Sequence, residues 1–203
     1  MITFASTTDL HPLVADRHSP RSFDPGHTLD DASLAALLEA ARWAPSAMNH
    51  QPWRLVVARR GTDAHAEVFG TLLPGNQRWA GDASALIYAI AEQVRDGQPI
   101  TTAQYDLGLA VSQMTTQAQS MGLHVHQMGG FDKSAARRVL GLSDDLLPVV
   151  VVAVGRRDSP DRLPDDLRAR ETAPRIRRPL EQTLLSVDGL RWAQHQDDDE
   201  AAA

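Results

Sequence analysis

The segment APSAMNHQPW, residues 44–53, joins an amphipathic helical pattern to an apolar stretch that is typical of a β-strand. Two prolines frame the hydroxyl group of Ser46 and the side-chain amides of Asn49 and Gln51. Because proline fixes its own φ and lacks a backbone donor, the prolines stiffen this connection. A stiff loop with neutral donors and acceptors suits an uncharged heterocycle such as a flavin or a pterin. The alternative is an ordinary helix-to-strand connection, since loops of this composition are common.

A second segment, RHSPRSF at residues 17–23, predicts an anion site. Residues two apart in an extended chain point the same way, so Arg17, Ser19 and Arg21 are expected to face one side. Two guanidinium groups and a hydroxyl suit a phosphate, because arginine presents a planar fork of donors. The alternative is a basic surface that is exposed to solvent.

The spacing of two arginines at i and i+2 recurs in RIRRPLE, residues 175–181, at Arg175 and Arg177. The chain carries 20 Lys and Arg residues against 26 Asp and Glu residues, which gives a net charge of −6. Cationic pairs in such a background need partners. Either a phosphate group or the abundant carboxylates could supply them.

These three segments, together with GGFD at residues 129–132, resemble the nitroreductase family of FMN-dependent oxidoreductases. The motifs stand in the family's order, and the resemblance runs from about Asp9 to Leu185. The loop at 44–53 is fairly specific to the family. The other motifs are weak singly and strong in combination.

The remaining pattern predicts an α+β fold, because helical and strand patterns alternate and neither a Gly-rich dinucleotide motif nor a P-loop is present. We expect a nitroreductase-like three-layer sandwich with a mainly antiparallel central sheet and helices on both faces. Thr28 or Asp30 is expected to cap the second helix, and Gly122 to follow the end of the long central helix. The expected helices are 10–16, 30–43, 62–73, 101–121 and 133–140, and the expected strands are 53–58, 85–91, 123–128 and 149–154.

Length and composition limit the class of protein. A chain of 203 residues suits one domain, which we expect over residues 1–190, followed by a disordered acidic tail at 191–203. The charged segment 158–170 is expected to be a loop within that domain. The absence of cysteine excludes disulfides, thiolate catalysis and Cys-ligated metals. The acidic charge argues against a nucleic-acid surface, and the lack of a leader pattern or a long apolar run predicts a soluble cytoplasmic protein.

The resemblance implies roles for individual residues around FMN. Arg17 and Ser19 would hold the phosphate, and Arg175 and Arg177 would close around it. Arg21 would act as an electrostatic stabiliser at the N1/C2 carbonyl edge of the flavin, and the backbone N–H of Gly129 would approach N5. No side chain is expected to be catalytic, because the flavin carries the chemistry. The implied cofactor-binding residues are Arg17, His18, Ser19, Arg21, Pro45, Ser46, Asn49, Gln51, Asn76, Gln127, Met128, Gly129, Gly130, Arg175 and Arg177.

The sequence departs from the family at residues and at one segment that would surround the substrate. Some relatives carry an acidic residue at the position of Gly129 and a lysine at that of Trp79. The segment 92–102 is short, where larger relatives insert helices that cover the substrate. The candidates for the pocket wall are His50, Trp79 and Tyr105.

Two further features concern a possible metal site and a possible buried acid. His124 and His126 point the same way on a predicted strand, but no third ligand with suitable spacing is evident, so we expect no metal site. Asp106 could be a buried acid, although a surface charge on the long helix is the simpler interpretation.

The function that the resemblance implies is that of an NAD(P)H-dependent FMN oxidoreductase with a ping-pong mechanism. NADPH or NADH would give hydride to flavin N5, and a small acceptor such as a nitroaromatic or a quinone would then take it. The expected assembly is a homodimer with FMN at the interface, without nucleic-acid or membrane partners. Alternatives are a specialised flavin dehydrogenase or ene-type reductase of a small metabolite, or a non-catalytic FMN-storage or regulatory protein.

Overall fold

The computed structural model describes residues 10–179, 182–183, 186–187 and 190–191 of the chain. Contacts divide the chain into two units, Leu10–Thr172 on the one hand and Met1–Asp9 with Ala173–Ala203 on the other. The single domain over residues 1–190 stays a prediction. The predicted disordered tail, apart from Arg191, lies outside the described residues.

Four strands of the larger unit form its central sheet, in the order β1-β2-β6-β5, and each neighbouring pair is antiparallel. The predicted antiparallel sheet is therefore confirmed. The smaller unit contributes the short hairpin of β7 and β8. The strands in chain order are β1 (Trp53–Arg59), β2 (Ala85–Glu92), β3 (Val94–Arg95), β4 (Gln98–Pro99), β5 (His124–Met128), β6 (Leu146–Gly155), β7 (Ser186–Val187) and β8 (Leu190–Arg191).

Helices cover both faces of the sheet and bury two separate apolar cores. α2 and α5 pack on one face, against alternate residues such as Ile87, while α3, α4, α6 and α7 pack on the other, against Leu86 and Tyr88. This alternation follows from the two-residue period of a strand. The three-layer sandwich is confirmed. The helices are α1 (Pro12–Ala15), α2 (Asp31–Arg42), α3 (Asp63–Phe69), α4 (Pro74–Ala80), α5 (Ala103–Ser120), α6 (Lys133–Val139) and α7 (Asp165–Glu171).

Two helix ends behave as the sequence predicts. The side chain of Asp30 caps α2 by accepting the N–H of Ser33 at 2.6 Å, so Asp30 and not Thr28 is the cap. Gly122 follows α5 with a φ of +70°, a left-handed conformation that glycine adopts without a Cβ penalty.

Two segment predictions were wrong. The helix expected at 62–73 ends already at Phe69, and a further helix that was not expected, α4, begins at Pro74, which fits the first position of a helix because no backbone donor is needed there. The loop expected at 158–170 contains a 3₁₀ turn, Pro160–Arg162, and most of α7. Pro164 stands immediately before α7, where the backbone is not yet helical.

The short segment after β2 forms a tight hairpin of β3 and β4. Its tip is Asp96-Gly97, and both residues have positive φ values, of 51° and 72°. Positive φ at both central positions is typical of the type I′ turn that Asp-Gly favours. In the described part of the chain, none of the helices combines the length and the apolar character needed to cross a bilayer.

Candidate functional site

The structure brings Arg17 and Ser19 together, as their spacing predicted. The Nη1 atom of Arg17 donates to Ser19 Oγ at 3.2 Å, and both side chains are half-buried. Arg21 is half-buried as well, and within the described residues its guanidinium makes no hydrogen bond or ion pair. A guanidinium without a protein acceptor at a partly covered position is available to an anionic ligand.

The backbone of this segment is fixed at several points. The N–H of Arg21 donates to Glu171 Oε2 at 2.8 Å, which ties the segment to the end of α7. Ser22 Oγ donates to the carbonyl of Ser159 at 2.6 Å, and Phe23 forms an antiparallel bridge with Arg157. Arg17 and Arg21 thus belong to an extended segment whose backbone is held in place by these bonds.

Histidines from the segment and from β5 surround Glu171, whose side chain is only 1% exposed. His18 Nε2 lies 3.8 Å from Glu171 Oε1, an ion-pair separation that is too long for a hydrogen bond. The His18 ring meets the edge of the His124 ring at a centroid distance of 5.7 Å. Burial acts to raise the pKa of Glu171, but the His18 ring and the Arg21 N–H outweigh it and hold that pKa below its usual range.

The other histidine of β5 faces a different neighbour. His126 Nδ1 lies 2.9 Å from the carbonyl of Pro20, and the indole of Trp79 packs on its ring at a centroid distance of 4.4 Å. A carbonyl can only accept, so the neutral ring carries its proton on Nδ1. Within the described residues no group of three or more His, Cys, Asp or Glu side chains is arranged to hold a metal ion.

The protonation of His126 predicts an acid sensitivity of the fold. Burial, with a contribution from the Arg21 charge, lowers the pKa of His126 to about 4, despite the bond to Pro20. A lowered histidine pKa favours the neutral folded form, so its contribution is complete above pH 6.5 and is lost as the pH falls toward 4. At about 1.4 kcal/mol per pKa unit, the loss should reach roughly 3 kcal/mol.

The measurement is urea unfolding of the wild type and of His126→Gln at a series of pH values from 7.5 to 4. The glutamine amide can still donate to Pro20 but does not titrate, so carboxylates and the other histidines contribute equally to both proteins. The wild type should lose more stability than the variant in this range. Parallel pH curves for the two proteins would contradict the assignment.

The predicted diglycine follows β5 and contacts α4. Asn76 Nδ2 donates to the carbonyl of Gly130 at 2.8 Å, so the structure brings these two candidates together. A Cβ at Gly130 would lie only 2.8 Å from that Nδ2 atom, whereas a Cβ at Gly129 would meet nothing within 4 Å. Gly129 therefore borders open space, into which a flat ligand could approach its backbone.

The loop at 44–53 is strained. Met48, Asn49 and Gln51 have φ values of 50°, 58° and 48°, a left-handed region that residues with a Cβ rarely adopt. Ser46 Oγ accepts the N–H of Gln51 at 3.0 Å, and Gln51 Nε2 donates to Asn49 Oδ1 at 3.0 Å. Ser46 thus bonds to the backbone of Gln51, and the Gln51 side chain bonds to that of Asn49, around a 3₁₀ turn, Ala47–Asn49.

Two side chains from outside the loop hold it in place. Asp106 of α5 accepts the N–H of Ala47, and Arg95 of β3 donates to the carbonyl of His50 at 2.9 Å. Asp106 is 1% exposed. The surface position favoured for Asp106 from the sequence is therefore wrong, because its carboxylate is needed inside, under the loop.

The remaining candidates differ in exposure and in the unit to which they belong. Gln127 is exposed at the end of β5, whereas the side chain of Met128 is buried in the core, which leaves only its backbone for a ligand. Arg175 and Arg177 are exposed and belong to the smaller unit, where Arg177 Nη1 donates to the neighbouring Ile176 carbonyl at 2.9 Å. Their closure around a phosphate stays a prediction.

The three candidates for a pocket wall differ in exposure. Trp79 is buried at 3% exposure between Phe23 and His126, so its assignment to the wall was wrong. Tyr105 is 70% exposed and His50 is half-buried, and both stay candidates.

Comparison with known proteins gives this arrangement a family. The nitroreductase family profile matches residues 14–73 and 62–156. A 15.4 kDa uncharacterized protein of Mycolicibacterium smegmatis is 36% identical over 146 residues, which cover 68% of this chain and 97% of that protein. The chain belongs to the nitroreductase family.

Two further relatives extend the likeness. A Bacillus subtilis protein provisionally named an NAD(P)H nitroreductase is 25% identical over 188 residues, covering 74% of this chain and 89% of that protein. A crystal structure described as an oxidoreductase containing FMN superposes with a TM-score of 0.84 at 35% identity, over 94% of this chain and 98% of that one.

Sequence reasoning missed the residues that support the nitroreductase motifs. Asp106 carried a readable signal, because it follows Ala103 by three positions and precedes Ala110 by four, on the apolar stripe of α5. Glu171 carried none, because the helix that presents it reads as a charged loop. Asp106 accepts the N–H of Ala47 in the loop at 44–53, and Glu171 accepts the N–H of Arg21 in the segment at 17–23.

Proposed function

We propose that the protein is an FMN-dependent oxidoreductase that oxidises NADPH or NADH and reduces a small electron acceptor. The observation that carries the proposal is the half-buried Arg21 guanidinium, which has no acceptor among the described residues and stands beside the Arg17–Ser19 pair. The FMN-containing relative at 35% identity and the relative named for NAD(P)H support the same cofactors here.

The residues present fit FMN. Arg17 and Ser19 offer donors for a phosphate, with His18 in the same segment. Gly129 offers a backbone without a neighbouring side chain within 4 Å of its Cβ position, which leaves room for a flat ring. Asn76 keeps its Oδ1 for a ligand while its Nδ2 is bound to Gly130. The full set proposed for binding is the one that the family resemblance implied.

When bound, FMN supplies two-electron chemistry at N5, in a ping-pong sequence in which the nicotinamide leaves before the acceptor enters. The chain's part is to bind, orient and stabilise charge. Arg21 would provide a fixed positive charge at the N1 edge, and the N–H of Gly129 would face N5. Nitroaromatics and quinones are the proposed acceptors, because the short hairpin of β3 and β4 places little chain where a cover would lie.

The first test is the colour and the flavin content of the purified protein. It should carry noncovalent FMN and not FAD, and NADPH or NADH should bleach it without oxygen. Arg17→Ala should weaken FMN binding by about 1.5–3 kcal/mol, the usual value of a charge-assisted hydrogen bond. Fluorescence titration of the flavin-free protein measures this. Arg162→Ala, which removes an exposed arginine paired with Asp158, is the control.

Three outcomes would count against the proposal. One is released flavin that behaves as FAD, and another is a protein that does not bind added FMN. The third is a yellow protein that neither nicotinamide bleaches, which would favour the storage or regulatory alternative.

We also propose that the protein is a homodimer in which the loop at 44–53 of one subunit contacts the flavin of the other. Met48 is 89% exposed on that rigid loop, and Trp43, at its base, is 74% exposed. Apolar side chains so exposed favour an interface. Light scattering should give twice the monomer mass of 22.2 kDa at micromolar concentration, and the interface should bury more than about 2,000 Å². A flavin-loaded monomer would contradict it.

A further inference from the structure

We infer that Asp106 is a positioning residue that holds the loop at 44–53 in its strained form, so that Ser46, Asn49 and Gln51 are presented to the flavin. The expected effect on FMN binding rests on the proposed function. The restraint of the loop rests only on the contacts that Asp106 makes beneath it.

The loop needs an external restraint. Three residues with a Cβ, at positions 48, 49 and 51, hold left-handed backbone angles within four positions. Such a conformation persists only where surrounding contacts over-determine it. The internal bonds of the loop join its own side chains and backbone, so they travel with the loop and cannot fix it to the fold.

Asp106 supplies one such restraint at the first residue of the 3₁₀ turn, in addition to the bond from Arg95 to the His50 carbonyl. Both of its carboxylate oxygens lie 3.3 Å from the backbone nitrogen of Ala47, and Thr102 Oγ1 donates to Oδ2 at 2.9 Å. The bond reaches from α5, an 18-residue helix packed on the sheet. The loop is thereby fixed to a long helix that packs on the sheet.

Burying the Asp106 side chain is unfavourable, so Asp106 can position the loop without adding much to the stability of the fold. The carboxylate is 1% exposed, and no ion pair joins it to a basic side chain among the residues that the structure describes. Two hydrogen bonds offset part of the free-energy cost of burying this side chain. Its position in the first turn of α5, where the helix dipole favours an acid, offsets more of it. The cost of burying this carboxyl group offsets much of what its two hydrogen bonds contribute, so its net contribution to stability is small.

The experiment compares the full-length wild type with Asp106→Leu and Asp106→Asn in three measurements. Hydrogen exchange at the Ala47 amide reports on the loop, FMN titration reports on the site, and urea unfolding reports on the fold. In Asp106→Leu the Ala47 amide should exchange at least about tenfold faster and FMN should bind about ten- to a hundredfold more weakly, the loss typical of a hydrogen bond to a charged group. The urea midpoint should be unchanged or higher.

Asp106→Asn separates the bond from the charge. Its Oδ1 can still accept the Ala47 N–H, and the Thr102 hydroxyl can accept from its Nδ2, so exchange and FMN affinity should stay close to wild type. Gln104→Leu, an exposed change in the same turn of α5, controls for the added leucine and should alter none of the three measurements.

The outcomes distinguish this inference from the proposed function. Wild-type exchange and affinity in Asp106→Leu would overturn it, and so would a lowered urea midpoint in both Asp106 variants, which would make Asp106 a residue of general stability. If the wild type binds no FMN, the proposed function fails, and the exchange of Ala47 still decides whether Asp106 holds the loop.

Discussion

Replacing Arg21 with alanine should slow the reduction of bound FMN by NADPH or NADH about ten- to a hundredfold, because a charge that is hydrogen-bonded to the reduced flavin is worth about 1.5–3 kcal/mol. The reduced flavin is negatively charged at N1, and Arg21 is the motif cation that we place there. The midpoint potential should also fall, since the anionic form loses its counter-charge. Oxidised FMN should still bind through Arg17 and Ser19.

The position of Arg21 supports a role distinct from that of Arg17. Its backbone is fixed by Glu171 at 2.8 Å, while its guanidinium is left without a protein acceptor among the described residues. Arg17 instead bonds to Ser19, a second donor group suited to phosphate. Arg21 is thus placed to supply a positive charge, whereas Arg17 and Ser19 together supply donors for a phosphate.

Conservative variants test this difference. Arg21→Lys should recover much of the rate, because a flavin edge requires charge more than a fork of donors. Arg17→Lys should recover less FMN affinity, because phosphate uses the bidentate geometry of arginine. Anaerobic stopped-flow reduction and potentiometry compare the two Arg21 variants with the wild type, and fluorescence titration of the flavin-free protein measures the FMN affinity of Arg17→Lys. An unchanged potential and rate in Arg21→Ala would move Arg21 to the phosphate group.

Phe23→Ala should lower the free energy of unfolding by about 3–5 kcal/mol, the usual cost of removing a buried phenyl ring. Phe23 is 1% exposed and stacks on Trp79 at a centroid distance of 6.2 Å. Its Cδ1 atom fills the space at Gly155, where a Cβ would meet it at 3.1 Å. The sheet can therefore collapse little around the cavity, which favours the upper part of the range.

The same ring anchors the motif that carries Arg17 and Arg21, so FMN affinity should fall together with stability. Urea unfolding monitored by circular dichroism measures the first effect. Val14→Ala, at a side chain that is 59% exposed, is the control and should stay within about 0.5 kcal/mol of the wild type. A loss in Phe23→Ala no larger than that of the control would show that the segment is not anchored by this ring.

The sheet and the longer helices could be read from the sequence because their signals are local. Continuous β-branched runs mark β6, and the apolar stripe marks α5. α7 could not be predicted, because Leu167 is the only buried apolar residue among its seven residues and its ends are charged. A short helix of that kind is stabilised by what it packs against, which a single sequence does not display.

The candidate site divides in the same way. The spacing of Arg17 and Ser19 predicted their contact, since two-residue periodicity is a local property. The link from Arg21 to Glu171 joins residues 150 positions apart, and that from Ala47 to Asp106 spans 59. Such contacts depend on how the layers meet, so only the fold reveals them.

The Asp96-Gly97 turn of the β3–β4 hairpin is a place where new chain can be added. Lengthening a flexible connection costs only about 0.6 kcal/mol for each doubling of its length, and the register of β2 with its neighbours ends before the turn begins. Arg95, bonded to the carbonyl of His50 and paired with Glu92, marks the inner boundary of what can be exchanged. A segment inserted beyond Arg95 would leave the bond from Arg95 to the strained loop intact, so the tip of this hairpin can be lengthened without releasing the loop at 44–53.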